Sequence, residues 1–124
     1  MIDFQNGLFV KLGPAGPKAA AGELAPILVD GEHVELSFKG MRDSVVFTNK
    51  RLIVISVQGI NGKNRNYSSL PYNKIHAWSI ETTGRFDVDA ELEMWFAGLG
   101  TVRLDFRGQV DMRTISRLIG DHVL

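Results

Sequence analysis

The sequence predicts one mainly β domain, a closed or nearly closed barrel of about seven antiparallel strands with an α-helix at its C-terminal end. Three observations predict it. Apolar and polar residues alternate through much of residues 33–107, short polar turns separate these stretches, and helical spacing is confined to the two ends of the chain. The chain has 124 residues, which is enough for one hydrophobic core and too few for two.

Residues 1–31 are predicted to form an N-terminal extension with a short helix, and residues 32–124 to form the domain. Three of the four prolines lie in the extension. Pro17 suits the first turn of a helix because its φ is already fixed, whereas Gly22 and Pro26 would weaken or end it. The residues on the apolar face of this helix would be Ala21, Leu24, Ala25 and Leu28.

Five strands are predicted between the extension and residue 82. The first covers residues 34–38, and the next two, at 45–47 and 52–55, form a hairpin around the polar turn at 48–51. A fourth strand through 65–70 should end at Pro71, which has no N–H to donate. The β-rich stretch 75–82 follows, and its pattern leaves open whether Trp78 is in the core.

A second hairpin is predicted in residues 90–107, with its turn at 98–100. Placing the turn there pairs apolar residues along one face: Phe96 with Val102, Met94 with Leu104, and Leu92 with Phe106. These six side chains should fill the interior of the barrel. The other face then sets Trp95 opposite Arg103 and Glu91 opposite Arg107, which makes Trp95 and Arg103 the candidate interface residues.

The C-terminal segment has the pattern of an amphipathic helix. Asp111 is a suitable N-cap because its carboxylate can accept hydrogen bonds from free backbone N–H groups. The apolar positions that follow have helical spacing: Met112, Ile115, Ile119 and Val123. One such helix could cover an open end of the barrel.

Arg42-Asp43 followed by residues 46–53 resembles the hairpin signature of bacterial pleckstrin-homology (PH) domains. Residues 57–59, 67–72, 79–84 and 86–92 are similar to other parts of that family, and the resemblance runs from about residue 30 to the end. It implies two roughly orthogonal antiparallel sheets capped by the C-terminal helix. It also implies a tendency to assemble into ring-like homo-oligomers, and a fold similar to that of eukaryotic phosphoinositide-binding domains.

The composition of the chain argues against several classes of function. The 14 Lys and Arg residues balance 14 Asp and Glu residues, which argues against nucleic acid as a partner. The absence of cysteine excludes thiol catalysis and cysteine-built metal sites. The N-terminus does not resemble a signal peptide and no stretch is long and apolar enough to span a bilayer, so we expect a cytoplasmic protein.

The motifs that could carry enzyme or metal chemistry fail on spacing. The loop 59–63 has two residues between its glycines where a phosphate loop has four. Residues 87–98 begin like a calcium loop but place Leu92 where glycine is required. The histidines, His33, His76 and His122, have no second ligand at helical spacing. We therefore expect no cofactor, no metal and no enzyme, although a deep pocket lined by ionisable groups would favour a small hydrolase or isomerase.

Two hypotheses about function remain. The first is a non-enzymatic interaction or scaffold domain that self-associates through sheet edges and through Trp95 and Arg103, with a further protein partner as an option. The alternative is peripheral binding of anionic phospholipid head groups. The basic residues near the predicted loops at one end would carry it: Lys39, Arg42, Lys63 and Arg65.

Overall fold

A computed structural model describes residues 1–5, 7–82 and 88–124, and in them the chain is mainly β with a C-terminal helix. The elements in chain order are β1 (Gly7–Ala15), α1 (Pro17–Leu24), β2 (Val34–Lys39), β3 (Asp43–Thr48), β4 (Arg51–Gln58), β5 (Asn64–Pro71), a short 3-10 turn (Tyr72–Lys74), β6 (Ala77–Thr82), β7 (Ala90–Phe96), β8 (Gly100–Phe106) and α2 (Met112–Val123).

The strands form a curled, eight-stranded half-barrel with the order β5-β4-β3-β2-β1-β8-β7-β6. The sequence predicts about seven strands, and β1 is the one it misses. β1 pairs antiparallel with β2 and parallel with β8, so the segment assigned to an N-terminal extension supplies a central strand. A bulge between Phe9 and Leu12, with Lys11 at φ 54°, lets one strand serve both neighbours.

The β3–β4 hairpin has the predicted position and a two-residue turn. The Thr48 hydroxyl accepts hydrogen bonds from the backbone N–H groups of Lys50 (3.0 Å) and Arg51 (2.9 Å). The Asn49 carboxamide accepts from the His33 N–H and donates to the Gly31 carbonyl. The turn residues therefore also anchor the chain that enters β2, which fixes where the preceding loop lies.

The predicted β7–β8 hairpin exists, but its predicted register is wrong by two residues. The cross-strand partners are Met94–Val102, Leu92–Leu104 and Ala90–Phe106, with Phe96 opposite Gly100. A shift of two leaves every side chain on its predicted face. All six predicted interior side chains are accordingly buried, at no more than 2% exposure.

The two helices cover different surfaces. Asp111 caps α2 as predicted by accepting a hydrogen bond from the Arg113 N–H (3.0 Å), and α2 buries Met112, Ile115 and Ile119 in the main core. On the outer face of the sheet, α1 forms a second apolar cluster from five residues: Ala20, Leu24, Val46, Ile53 and Ile55. The predicted face of this helix is partly wrong, because Ala20 is buried while Ala25 is exposed.

Candidate binding surfaces

The outer face of β2–β5 carries a regular grid of side chains beneath and beside α1. Directly opposed residues of antiparallel strands point to the same face. The register sets Lys39 opposite Ser44, Ser44 opposite Ile55, and Ile55 opposite Tyr67. Two further cross-strand pairs lie beside this row on the same outer face: Ser37 with Val46, and Val57 with Arg65.

A cavity of about 390 Å³ lies between this grid and α1, and we call it the α1 cleft. Small side chains leave the space open, because Ala19 and Ala20 of α1 face the floor formed by Ser37, Ser44 and Val46. The remaining floor is aliphatic, from Ile55 and Val57. The rim carries the polar and flexible groups: Glu23, Lys39, Met41, Arg42 and Arg65.

Three of the four predicted basic residues meet at this cleft. Lys39, Arg42 and Arg65 line it, whereas Lys63 is not among its lining residues. The Arg42 guanidinium donates to the Gly59 carbonyl (2.7 Å), and the Val57 N–H donates to the Arg42 carbonyl (3.1 Å). These bonds hold the β2–β3 and β4–β5 loops together, which places Lys63 at the same end of the sheet but outside the cleft.

Glu23 is the residue of the cleft that sequence reasoning misses. Its Oε2 atom accepts from Arg65 Nη1 and from the Tyr67 hydroxyl, each at 2.9 Å. The hydrogen bond to Glu23 raises the pKa of Tyr67, with smaller contributions from burial and from the charge of Glu23. The predicted apolar face of α1 places Glu23 on the far side of the helix, and its partners on β5 depend on how the helix docks.

The tips of the joined loops expose two large apolar side chains. Met41 is 97% exposed and Ile60 is fully exposed. Both belong to the loops that also carry Arg42 and Lys63. Apolar side chains beside cations at one end of a domain are chemically suited to the boundary of an anionic membrane.

A second surface lies on the outer side of β7, β8 and the first half of β1. We call it the uncovered face and define it by Leu8, Trp95, Thr101 and Arg103. Trp95 is 52% exposed and Leu8 is 44% exposed. Trp95 lies opposite Thr101, not Arg103 as predicted, and Arg103 lies between Leu8 and Glu93.

A shallow depression of about 260 Å³ adjoins Trp95 on the uncovered face. Leu8, Glu93, Thr101 and Arg103 line it together with Gln5 and Gly7. Its walls combine the apolar side chain of Leu8 with the opposite charges of Glu93 and Arg103. The depression is therefore suited to an amphipathic side chain such as an indole, which has an apolar body and one N–H donor.

Trp78, which the sequence leaves undecided, is half-buried against α2. It packs on the edge of the main core, and its indole Nε1 lies 3.5 Å from the Ser116 hydroxyl. Trp78 is therefore held by its own chain, in contrast to Trp95. The two tryptophans of this chain report on different surfaces.

The acidic residues of the calcium-loop-like segment 87–98 form no metal site in the part of the chain that the structure describes. No cluster of three or more His, Asp or Glu side chains with suitable geometry occurs there, and Asp87 lies outside the described residues. Asp89 accepts from the Gly108 N–H (2.7 Å) and lies 3.6 Å from Arg107, while Glu91 faces Asp105 instead of Arg107. Among the described helices, none has the length and hydropathy of a membrane span.

The family model and the solved structures that resemble this chain point to one family. The family model for the bacterial PH domain matches residues 3–123. The uncharacterized protein YjqA of Bacillus subtilis (strain 168) is 42% identical over 120 residues, covering 95% of this chain and 96% of that protein. A duf1696 family protein with a pleckstrin-homology domain from Shewanella loihica PV-4 has a crystal structure with 37% identity and a TM-score of 0.79, covering 94% of this chain and 100% of that one. A pleckstrin homology domain from Shewanella amazonensis SB2B has 40% identity and a TM-score of 0.65, covering 89% and 90%.

Proposed function

Because the chain belongs to the bacterial PH domain family, we propose that it is a non-enzymatic, cytoplasmic interaction domain that self-associates through its uncovered face. The filled interior supports this proposal. The six side chains of the inner wall are almost completely buried, so a substrate would have to displace packed core residues. The outer surface is then the part of the protein that is available for a partner.

One observation carries the proposal: the two halves of the sheet differ in how their outer faces are covered. On the β2–β5 half, α1 covers Val46, Ile53 and Ile55. On the β6–β8 half, Trp95 and the adjoining Leu8 are about half exposed. Tryptophan and arginine are enriched among the residues that contribute most to interface affinity, and both occur on the uncovered face.

A second copy of this chain is the partner that the uncovered face fits. Trp95 projects beside a depression whose lining includes Leu8, Glu93 and Arg103, so the face offers both a large side chain and a recess. Such a pairing between copies could be reciprocal and give a closed dimer, or head-to-tail and give a ring. The terminal strands of the sheet order, β5 and β6, provide edges at which further copies could add.

The test is to replace Trp95 with serine and to measure the assembly state by light scattering over the micromolar range. Losing a tryptophan at the centre of an interface costs at least about 2 kcal/mol, which corresponds to roughly 30-fold weaker association. The matched control is Ile60→Ser, which removes an even more exposed apolar side chain from the β4–β5 loop, at the other half of the sheet. Equal assembly of wild type and the Trp95 variant would refute the proposed contact.

The second candidate function is peripheral binding to anionic phospholipid membranes through Lys39, Arg42, Lys63 and Arg65. The observation that favours it is the exposure of Met41 and Ile60 on the two loops that hydrogen bonds join at this end. Each basic residue near an anionic surface adds about 1 kcal/mol. Binding to phosphatidylglycerol vesicles should therefore weaken as salt rises, and should weaken further when Met41 and Ile60 are both replaced by serine.

A vesicle experiment separates this candidate from the first. Cosedimentation at low salt with vesicles of equal parts phosphatidylcholine and phosphatidylglycerol tests it directly, with pure phosphatidylcholine as the control. Absence of cosedimentation would end the membrane proposal and leave self-association untouched, since the uncovered face lies on the other half of the sheet.

A further inference from the structure

We propose that the α1 cleft is a binding site for a phosphate monoester that carries a small apolar group, and that Glu23 competes with this ligand for Arg65. The inference concerns a cavity on the outer face of the sheet. It does not depend on the self-association proposed above. It shares three basic residues with the membrane candidate but requires no membrane.

The shape and lining of the α1 cleft indicate a small ligand with an apolar part. Its volume of about 390 Å³ lies at the lower end of the range of roughly 300–1,000 Å³ for small-molecule sites. Val46, Ile55 and Val57 form an aliphatic floor, and Ala19 and Ala20 form the opposing wall. Val46, Ile55 and Ala20 are already buried against one another, so the apolar group of the ligand would remove from water the exposed part of this lining, Ala19 and the half-buried Val57. Ser37 and Ser44 provide hydroxyl donors beside it.

The charge at the rim favours a phosphate over a carboxylate. Lys39, Arg42 and Arg65 contribute three positive charges and Glu23 one negative charge. Asp43 does not offset them within the cleft, because strand alternation places it on the opposite face from Ser44. A phosphate monoester carries a charge of about −1.5 to −2 at neutral pH and three acceptor oxygens, which matches a net surplus of two cations.

The three basic side chains of the rim differ in how many of their N–H donors already have a hydrogen-bond acceptor. Among the described residues, the Lys39 ammonium makes no side-chain hydrogen bond or ion pair, and Arg42 uses one Nη atom on the Gly59 carbonyl. Arg65 instead donates to Glu23 at 2.9 Å. Lys39 and Arg42 pair with no carboxylate in the described ranges and keep free N–H donors, so they can receive the phosphate directly. Arg65 also keeps free donors, but its charge is paired with the Glu23 carboxylate, so an anion can use that charge fully only if Arg65 turns away from Glu23.

Glu23 therefore sets the affinity of the α1 cleft. Its carboxylate holds Arg65 and Tyr67 across the rim, between α1 and β5. An anionic ligand must replace this carboxylate on Arg65, and the two negative charges would repel each other at short range. Neutralising Glu23 should strengthen binding, which is the opposite of what removal of an ordinary lining residue would do.

The experiment is an NMR titration of the full ¹⁵N-labelled chain with phenyl phosphate, with inorganic phosphate as the probe that lacks an apolar group. We expect saturable shifts in the amides of residues 37–46 and 55–57, and weaker binding of inorganic phosphate. Arg42→Gln should weaken phenyl phosphate binding by roughly tenfold or more, since a hydrogen bond to a charged group is worth about 1.5–3 kcal/mol. Glu23→Gln should tighten it severalfold.

Four variants serve as controls for this experiment. Lys63→Gln removes a cation from the same end without touching the α1 cleft, and Asp43→Asn adds the same charge as Glu23→Gln without freeing Arg65. Neither should change phenyl phosphate affinity by more than about twofold, because Lys63 does not line the α1 cleft and strand alternation turns Asp43 to the other face of the sheet. Ser44→Leu should fill the cleft and abolish binding, and Ala19→Leu does the same from α1 if the first variant fails to fold.

Vesicles containing phosphatidic acid, whose head group is a phosphate monoester, distinguish a soluble ligand from a lipid head group. If Ser44→Leu abolishes phenyl phosphate binding and leaves vesicle binding intact, the α1 cleft serves a soluble phosphate monoester. If both are lost, a lipid phosphate occupies it. The proposal is overturned if phenyl phosphate gives no saturable shifts, or if Lys63→Gln weakens binding as much as Arg42→Gln, since the effect would then be diffuse electrostatic attraction.

Discussion

Replacing Glu32 with glutamine should destabilise this domain by about 3 kcal/mol, although Glu32 lies on a loop. Its side chain is completely buried. It accepts hydrogen bonds from Arg51 Nε (2.9 Å), Arg51 Nη2 (3.0 Å), the Thr48 hydroxyl (2.7 Å) and the Val29 N–H (3.0 Å). The three bonds from Arg51 and Thr48 fasten the loop after α1 to the β3–β4 hairpin, and the bond from Val29 lies within that loop.

The expected loss of stability follows from the Arg51 charge, which remains when the charge of Glu32 is removed. Removing one charge of a buried ion pair typically costs 3–5 kcal/mol, because the other charge loses its partner while it stays out of water. Arg51 is 20% exposed and keeps two further acceptors, the Ile27 carbonyl and the Ser69 hydroxyl. The cost should therefore fall at the lower end of that range, at about 3 kcal/mol.

Urea unfolding followed by tryptophan fluorescence measures this cost. The matched control is Glu35→Gln, because Glu35 lies 2.7 Å from His33 on an exposed surface, where even a fully charged pair contributes only about 0–1 kcal/mol. In a thermal scan the Glu32 variant should lose about 12 °C, at about 4 °C per kcal/mol for a domain of this size. A free energy of unfolding equal to that of the Glu35 variant would refute the reasoning.

Two further predictions concern pH and backbone conformation. Burial alone would raise the pKa of Glu32, but hydrogen bonds from Arg51, Thr48 and Val29 outweigh it and hold this pKa below its ordinary value of 4.5. The stabilisation is thus complete above pH 4.5 and declines as the pH falls through the lowered pKa, so the free energy of unfolding of wild type should fall more steeply in acid than that of Glu32→Gln. Gly100→Ala should cost more than Gly98→Ala in urea unfolding: both have positive φ, but only at Gly100 would the new Cβ come within 2.5 Å of a backbone oxygen, that of Phe4.

Each of these predictions has a clear contrary result. If wild type and Glu32→Gln lose stability in parallel between pH 5 and pH 3, Glu32 is not the group whose protonation matters. Equal losses in Gly100→Ala and Gly98→Ala would mean that left-handed backbone strain accounts for both, and that the close approach of residues 1–5 to the β7–β8 hairpin is not rigid.

The sequence predicts most of the sheet because alternation reports which side chains face inward. It predicts the β3–β4 hairpin and the inner wall correctly. It misplaces the β7–β8 register by two residues because such a shift leaves every side chain on the same face. It misses β1 because Gly13, Pro14 and a left-handed Lys11 interrupt the alternation, and because the parallel partner of β1 lies at the far end of the chain.

The candidate surfaces were predictable only in part. Lys39, Arg42 and Arg65 could be proposed from their positions near loops, but their shared cavity depends on where α1 docks. Ala19 and Ala20 are typical of any helix, so the sequence does not indicate that they leave space for a cavity. Nothing in the sequence connects Glu23 with Arg65 and Tyr67. The exposure of Trp95 was predictable because it occupies the polar parity of a strand, and a two-residue shift does not alter that parity.

The most direct test of the central claim uses Trp78→Phe, which leaves Trp95 as the remaining tryptophan. Acrylamide quenching of its fluorescence should be efficient in dilute protein and should fall as the protein concentration rises through the micromolar range, because a second copy would cover the indole. Quenching that is efficient and independent of concentration would contradict the claim that the uncovered face is where copies of this protein meet.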